Sequence, residues 1–254
     1  MPKFFIKENQ IKSTYVEIIN EDNHHIKSVL RKKIGDEILV CDSKNMINYL
    51  CQISEFSNDK TICSIKEKII NDSNIDEKIK ISIFQGLPKS DKMELIIQKS
   101  VELGVYDIIP VSLERCVVKI LEKEQPKKIS RWQKISEVAA KQSGRNIIPS
   151  INNILNIKSL TQKIQEYDLF LVAYENEKDN RLKDEIANIK IELLKKDIDI
   201  KIGILIGPEG GISENEILAL KESRAKVITL GNRILRTETV ALNVISILMY
   251  EFEN

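Results

Sequence analysis

The sequence predicts an α/β protein: a parallel sheet covered by helices, preceded by a small β domain. Three observations carry this. The runs KISIFQG, VYDIIPV, YDLFLVAYE, KIGILIG and AKVITLG are apolar along their length, as strands buried on both faces are. They alternate with stretches whose apolar residues recur at helical spacing. The early segments are instead short, β-branched and punctuated by turns, and the polar NDSNID (Asn71 to Asp76) closes them off. The expected domains are therefore residues 1–72 and 76–254.

In order, KFFI, STYVEIIN, DEILVCD, NYLCQISEF and TICSIKEKII read as the strands of the first domain. HHIKSVLR reads as one short helix among them. In the second domain SDKMELIIQKSVELG puts Met93, Ile96, Ile97 and Val101 on one face, with Gly104 as its stop. Pro126 opens a helix on which Ile129, Trp132, Ile135, Val138 and Ala139 share a face, and Gly144 ends it. On that spacing Trp132 belongs to the core. A charged helix runs over roughly 181–196. Ser213 with Glu216 forms a capping box for ENEILALKES. An apolar helix over 238–252 closes the chain.

A formal charge of +1 excludes a whole-chain basic field, yet 115–145 holds nine Lys or Arg against three Glu, enough to engage phosphates. A solvated helix face would show the same pattern. None of the four cysteines forms a CxxC pair, and three lie in strand-like runs where Cys packs as a small apolar residue. With no secretory pattern at the N-terminus, a reducing cytoplasm is the expected home. The two histidines, His24 and His25, are adjacent, which is not the spacing of a helical metal pair, so no metal is expected. The apolar runs fall short of the ~20 residues that span a bilayer, so no membrane is expected either.

Two loops carry the chemistry. IGPEGGIS, 206–213, follows a strand and precedes a capped helix, at the carboxyl end of a parallel sheet where α/β proteins bind ligands. It is neither GxGxxG nor a P-loop, and Glu209 would repel a phosphate. A neutral or cationic ligand suits it, and so does a tight turn whose Glu209 faces water. LGNRILRTETVALN, 230–243, places Arg233, Arg236, Thr237, Glu238 and Thr239 beside Ile234 and Leu235. That composition suits a slot for a flat base, and equally a helix N-terminus capped by Thr237 or Thr239.

Together, IGPEGGISENE and LGNRILRTETVA resemble the RsmE family of rRNA uridine methyltransferases, of the SPOUT class. HHIKSVLRKKIGD, KSDKMELIIQKSVELGV, IIPVSLERCVV and RWQKISEVAAKQSGR are similar to that family's segments, in its order, so the resemblance covers nearly the whole chain. It implies an N-terminal PUA-like β-barrel, a C-terminal domain with a deep trefoil knot, and a homodimer. It implies S-adenosylmethionine as cofactor, held by Ala173, Tyr174 and Glu175, by Ile206, Gly207, Pro208, Glu209, Gly210 and Gly211, and by Leu230, Gly231, Ile234, Leu235 and Arg236. The departures are Lys141, where many relatives carry an acidic residue, and Asn232, where proline is common.

The implied reaction is methyl transfer to N3 of a uridine in 16S rRNA of the small ribosomal subunit. That nitrogen must lose a proton, and no histidine lies near the motifs. Arg236 is the expected stabiliser of the developing negative charge, with Glu238 or Glu209 taking the proton. Lys3, His25, Lys27, Arg31, Lys32, Arg115 and Arg145 are the expected RNA contacts, joined by Arg131 in the basic stretch.

Overall fold

The computed structural model describes residues 1–42, 44–69, 79–193 and 199–253; the hexapeptide 71–76, read above as a boundary, lies outside them. The chain divides into two compact units, Met1–Asn74 with Ala140–Ile148, and Ile75–Ala139 with Pro149–Asn254.

The first unit is a five-stranded sheet of β1 (Lys3–Ile6), β2 (Tyr15–Ile19), β3 (Glu37–Asp42), β4 (Ile47–Phe56) and β5 (Lys60–Ile69). Its order is β1-β3-β4-β5-β2; β1 runs parallel to β3 and the other ladders are antiparallel. Irregular register at Leu50/Cys51 and Ile53/Glu55 bends β4 against β5 and curls the sheet. Among the described residues no ladder joins β1 to β2, so the sheet is curled rather than closed into a barrel. Alternate residues, including Phe4, Val16, Ile18, Ile38, Val40 and Ile53, fill its inner face. The expected HHIKSVLR helix begins earlier, as α1 (Asn20–His24), and runs into a π-helical turn over His25–Val29 that buries Ile26.

Residues 140–148 group with this unit although the sequence reading placed them in the second. Asn146 explains it: its side-chain oxygen accepts from Lys3 Nζ at 2.6 Å and from Asn48 Nδ2 at 2.9 Å, and its carbonyl accepts from Cys41 Sγ at 3.4 Å. Lys141 bridges to Asp22 at 2.8 Å, an ion pair inside the unit.

The second unit is a parallel sheet of β6 (Ile79–Gly86), β7 (Asp107–Ser112), β8 (Ser150–Ile151), β9 (Leu155–Asn156), β10 (Leu169–Ala173), β11 (Ile200–Ile206) and β12 (Lys226–Ile228). The order is β12-β10-β11-β6-β7-β8, with β9 also on β7. β11 thus inserts between two strands that precede it in the chain. Its helices are α2 (Lys92–Glu102), α3 (Gln125–Ser143), α4 (Ile157–Lys163), α5 (Leu182–Leu193), α6 (Glu214–Glu222) and α7 (Thr237–Glu253); from Ala140, α3 counts with the first unit. β8, β9 and α4 are short additions to the elements expected from the sequence, and Asn156 caps α4 by accepting from Ser159 N at 2.9 Å. α2 buries Met93, Ile96, Ile97 and Val101, as their spacing predicts. Gly104 follows at φ +104°, and a Cβ there would come within 2.5 Å of the Met249 side chain of α7. α7 buries Ala241, Val244, Ile245, Leu248 and Met249. Trp132 is 5% exposed and belongs to the core.

Candidate active site

Three loops leave the carboxyl ends of the neighbouring strands β12, β10 and β11. The turn after β10 is tied to β12: Tyr174 N donates to Ile228 O (3.1 Å), Thr229 N to Asn180 O (2.8 Å) and Asn180 Nδ2 to Val227 O (2.9 Å). The glycine-rich loop after β11 is closed by Gly211 N donating to Pro208 O at 2.9 Å. Its exit is fixed by the predicted capping box, in which Glu216 accepts from Ser213 N at 3.1 Å. The other Glu216 oxygen accepts from Glu114 N at 2.8 Å, so this carboxylate also anchors the segment after β7.

The glycines are required by contact. A Cβ on Gly210 would meet Arg115 O at 2.9 Å. Gly211 has φ +72°, and a Cβ there would strike the Glu175 carboxylate. That carboxylate faces the glycine loop and has no ion-pair partner among the described residues, so a cationic ligand would complement it. Gly231, at φ +110°, has open space where its Cβ would be.

The loop after β12 is less closed than the sequence suggested. Leu230 and Leu235 are half-buried, while Ile234 is 87% exposed and Arg233 and Arg236 are exposed. Ile234 therefore closes no slot by itself. Thr237, read as a possible cap, does something else. Its hydroxyl donates to Gly207 O at 2.7 Å and accepts from Gln85 Nε2 at 2.9 Å, joining the start of α7 to the ends of β11 and β6. Gln85 is fully buried and its Oε1 has no hydrogen-bond donor.

Glu209 and Glu238, the two expected proton acceptors, meet on one cation. Lys92 Nζ lies 3.0 Å from Glu209 Oε1 and 3.4 Å from Glu238 Oε2. Lys89 N donates to both Glu209 oxygens at 3.2 Å. Burial pushes the Glu209 carboxyl up, but the Lys92 ammonium and backbone N–H donors outweigh it and hold the group below its ordinary value. Lys92 is held above its own, first by Glu209 and then, against burial, by Glu238. The glutamate in the glycine loop is thus held by the β6–α2 turn rather than facing open water.

The expected RNA contacts divide. His25 and Arg31 are exposed on the first unit, and Arg31 has φ +49°. Lys27 donates to Ser57 O and lies 5.7 Å over the Phe56 ring; Lys32 stands 3.9 Å from Asp36. Arg115 is exposed, with Nη1 3.4 Å from Gly210 O, and Arg131 is exposed and paired with Glu94 at 2.6 Å. Lys3 and Arg145 are only 6% and 8% exposed. The Lys3 ammonium donates to Gly144 O and Asn146 Oδ1, so it is spent inside the unit rather than offered to phosphate.

Sequence reasoning passed over Lys92 and Gln85. Their partners lie far along the chain, and only the start of the KSDKM segment, basic beside an acidic loop, hinted at the first. Among the described residues no cluster of three His, Cys, Asp or Glu could hold a metal, and no helix is long and apolar enough to cross a membrane.

A family model described as an RNA methyltransferase domain matches residues 76–249, and one described as an RNA methyltransferase PUA domain matches 18–66. The chain is 36% identical over its whole length to ribosomal RNA small subunit methyltransferase E of Bacillus subtilis, covering 98% of that protein. The chain belongs to that RsmE family of RNA methyltransferases. It is 33% identical to the corresponding protein of Mesomycoplasma hyopneumoniae, over 95% of this chain and 96% of the other. The structure of the RsmE protein from Neisseria gonorrhoeae bound to S-adenosylmethionine has a TM-score of 0.83 at 29% identity, covering 98% of this chain and 97% of that one. The match to the RNA methyltransferase domain model spans all three loops described above.

Proposed function

We propose that this RsmE-family protein methylates N3 of a uridine in 16S rRNA of the small ribosomal subunit, using S-adenosylmethionine. The observation that carries the reading is the meeting of three loops at the ends of β10, β11 and β12, in a chain matched throughout by rRNA methyltransferases. The site fits the cofactor. Gly210 and Gly211 are cradle positions that a Cβ would fill, and the Glu175 carboxylate beside them suits a sulfonium or ammonium.

The residues that would hold the cofactor are Ala173, Tyr174 and Glu175, the 206–211 loop, and Leu230, Gly231, Ile234, Leu235 and Arg236. When bound, S-adenosylmethionine supplies an electrophilic methyl group. The protein's part is to orient the uracil and manage its N3 proton. Arg236 stabilises the negative charge that grows on the uracil as the proton leaves. Glu238 accepts that proton, and Glu209 holds the glycine loop in place. One ammonium faces two carboxylates in the Lys92 cluster, so Lys92 alone does not neutralise both.

RNA is held by His25, Lys27, Arg31 and Lys32 of the PUA-like unit, and by Arg115 and Arg131. The trefoil knot, the homodimer and a cytoplasmic setting follow the family resemblance. The insertion of β11 between β6 and β10, with α7 tied back to Gly207, supports the knot.

The test uses small subunits from cells lacking this gene, incubated with the protein and S-adenosylmethionine and mapped by reverse transcription. Methylation at N3 blocks the pairing edge, so one new stop at a 16S uridine is expected. Label transferred to the RNA without a stop would move the reaction to another atom, such as a ribose oxygen. No label at all would reject the enzyme reading.

A further inference from the structure

From the geometry we infer that Lys92 is a positioning residue for methyl transfer, acting through both Glu209 and Glu238; the inference rests on the function proposed above. Its ammonium is the point where three separate elements meet. Lys92 is the first residue of α2, Glu209 lies in the glycine-rich loop after β11, and Glu238 is the second residue of α7. Ion-pair distances of 3.0 and 3.4 Å join them. The three side chains are 29%, 27% and 16% exposed, so bulk water screens the cluster only partly.

The surroundings leave Lys92 as the cation that connects these two carboxylates. Lys89 reaches Glu209 only through its backbone N–H. Glu94, in the same first turn of α2, pairs with Arg131 at 2.6 Å. The buried Glu238 Oε2 has no hydrogen-bond donor, so the nearby ammonium is what compensates it. Removing that cation leaves two carboxylates facing each other across the junction of loop and helix, and like charges there push the elements apart. Arg236 and Thr237 immediately precede Glu238, so a displaced first turn of α7 carries Arg236 with it.

Lys92 touches neither the methyl donor nor the uracil on this account. Its work is to set the glycine loop and the first turn of α7 in one relative position. This also answers why a glutamate sits in a glycine-rich loop: Glu209 is the loop's attachment to the β6–α2 turn.

The experiment compares wild type, Lys92→Met and Lys92→Arg as full-length proteins. Single-turnover methyl transfer to unmethylated small subunits is measured beside S-adenosylmethionine binding by calorimetry. Lys92→Met should slow transfer ~10-fold or more while weakening cofactor binding by less, because positioning is felt most in the reacting complex. Lys92→Arg, which keeps the cation, should recover most of the rate; a role in packing alone predicts no such rescue. The double variant Lys92→Met/Glu238→Gln should be no slower than the slower of the single variants, since the two residues act as a unit. A Lys92→Met protein that transfers at the wild-type rate overturns the inference and leaves the functional reading standing, and so does a Lys92→Arg protein as slow as Lys92→Met. A wild-type protein that binds no S-adenosylmethionine and transfers no methyl group overturns both.

Discussion

The Thr237 hydroxyl donates to the Gly207 carbonyl at 2.7 Å, so the last helix is fastened by its first residue to the end of β11. The same oxygen accepts from Gln85 Nε2, which brings β6 into the junction. Thr237→Val keeps the shape and removes both bonds, leaving a buried amide donor unsatisfied. The expected cost is about 1–3 kcal/mol of stability. Calorimetric unfolding measures it, and a variant as stable as wild type would show the junction to be dispensable.

Gly86→Ala is expected to disturb the loop after β11 directly. The added Cβ would lie 2.7 Å from Pro208 Cδ, 2.8 Å from Pro208 N and 3.0 Å from Ile206 O. Two of these are backbone atoms and cannot swing aside. Overpacking of this kind costs about 1–3 kcal/mol. Titration with S-adenosylmethionine should show weaker binding as the loop shifts.

Arg236→Ala should leave the fold alone, since the side chain is exposed, yet slow methyl transfer ~10²-fold. Unchanged melting with a reduced single-turnover rate is the expected pair of results. An unchanged rate would remove Arg236 from the chemistry.

The Lys92 cluster should give stability a defined pH window. Glu209 sits below its ordinary 4.5, so its contribution is present above that value and lost as pH falls through the lower folded value. Lys92 sits above its ordinary 10.5, so its contribution is full below that value and fades only at still higher pH. The difference in melting temperature between wild type and Lys92→Met should therefore be flat near neutrality. It should shrink as the solution is acidified below pH 4.5.

All four cysteines are buried and free, and burial pushes the thiols of Cys41, Cys51 and Cys63 up to about 11, 12 and 12. Iodoacetamide should label the native protein slowly and the unfolded protein fully. Rapid native labelling of any of them would contradict the burial.

Much of the scaffold was legible because its causes are local. The run Ile202–Ile206 is apolar because both faces of β11 are covered, and the sequence says so residue by residue. The Ser213–Glu216 box and the stops at Gly104 and Gly144 need only their neighbours, and the structure has them where they were read. Lys3 and Arg145 show the limit. In sequence they are basic residues like any other; Lys3 is buried where its ammonium meets Gly144 and Asn146, more than a hundred residues along the chain. Lys92 meeting Glu209 is of the same kind. Two residues of opposite charge leave no trace of their pairing until the sheet brings their loops together. The order of strands was equally silent, since an apolar run does not say which neighbours it will take.

The placement of β11 bears on how the molecule comes into being. Gln85 pairs with Ile206, about 120 residues further on, in the middle of the sheet rather than at its edge. During synthesis β6 and β10 are both made before the strand that separates them. They cannot settle side by side without later being parted. The nascent chain must hold that gap open, or refill it, until β11 arrives, and the glycine-rich loop is born only with it. Slow, non-local closure of this sort exposes apolar strand surface for longer than a locally wired fold would, so assembly of the finished site is a late event in the life of each chain.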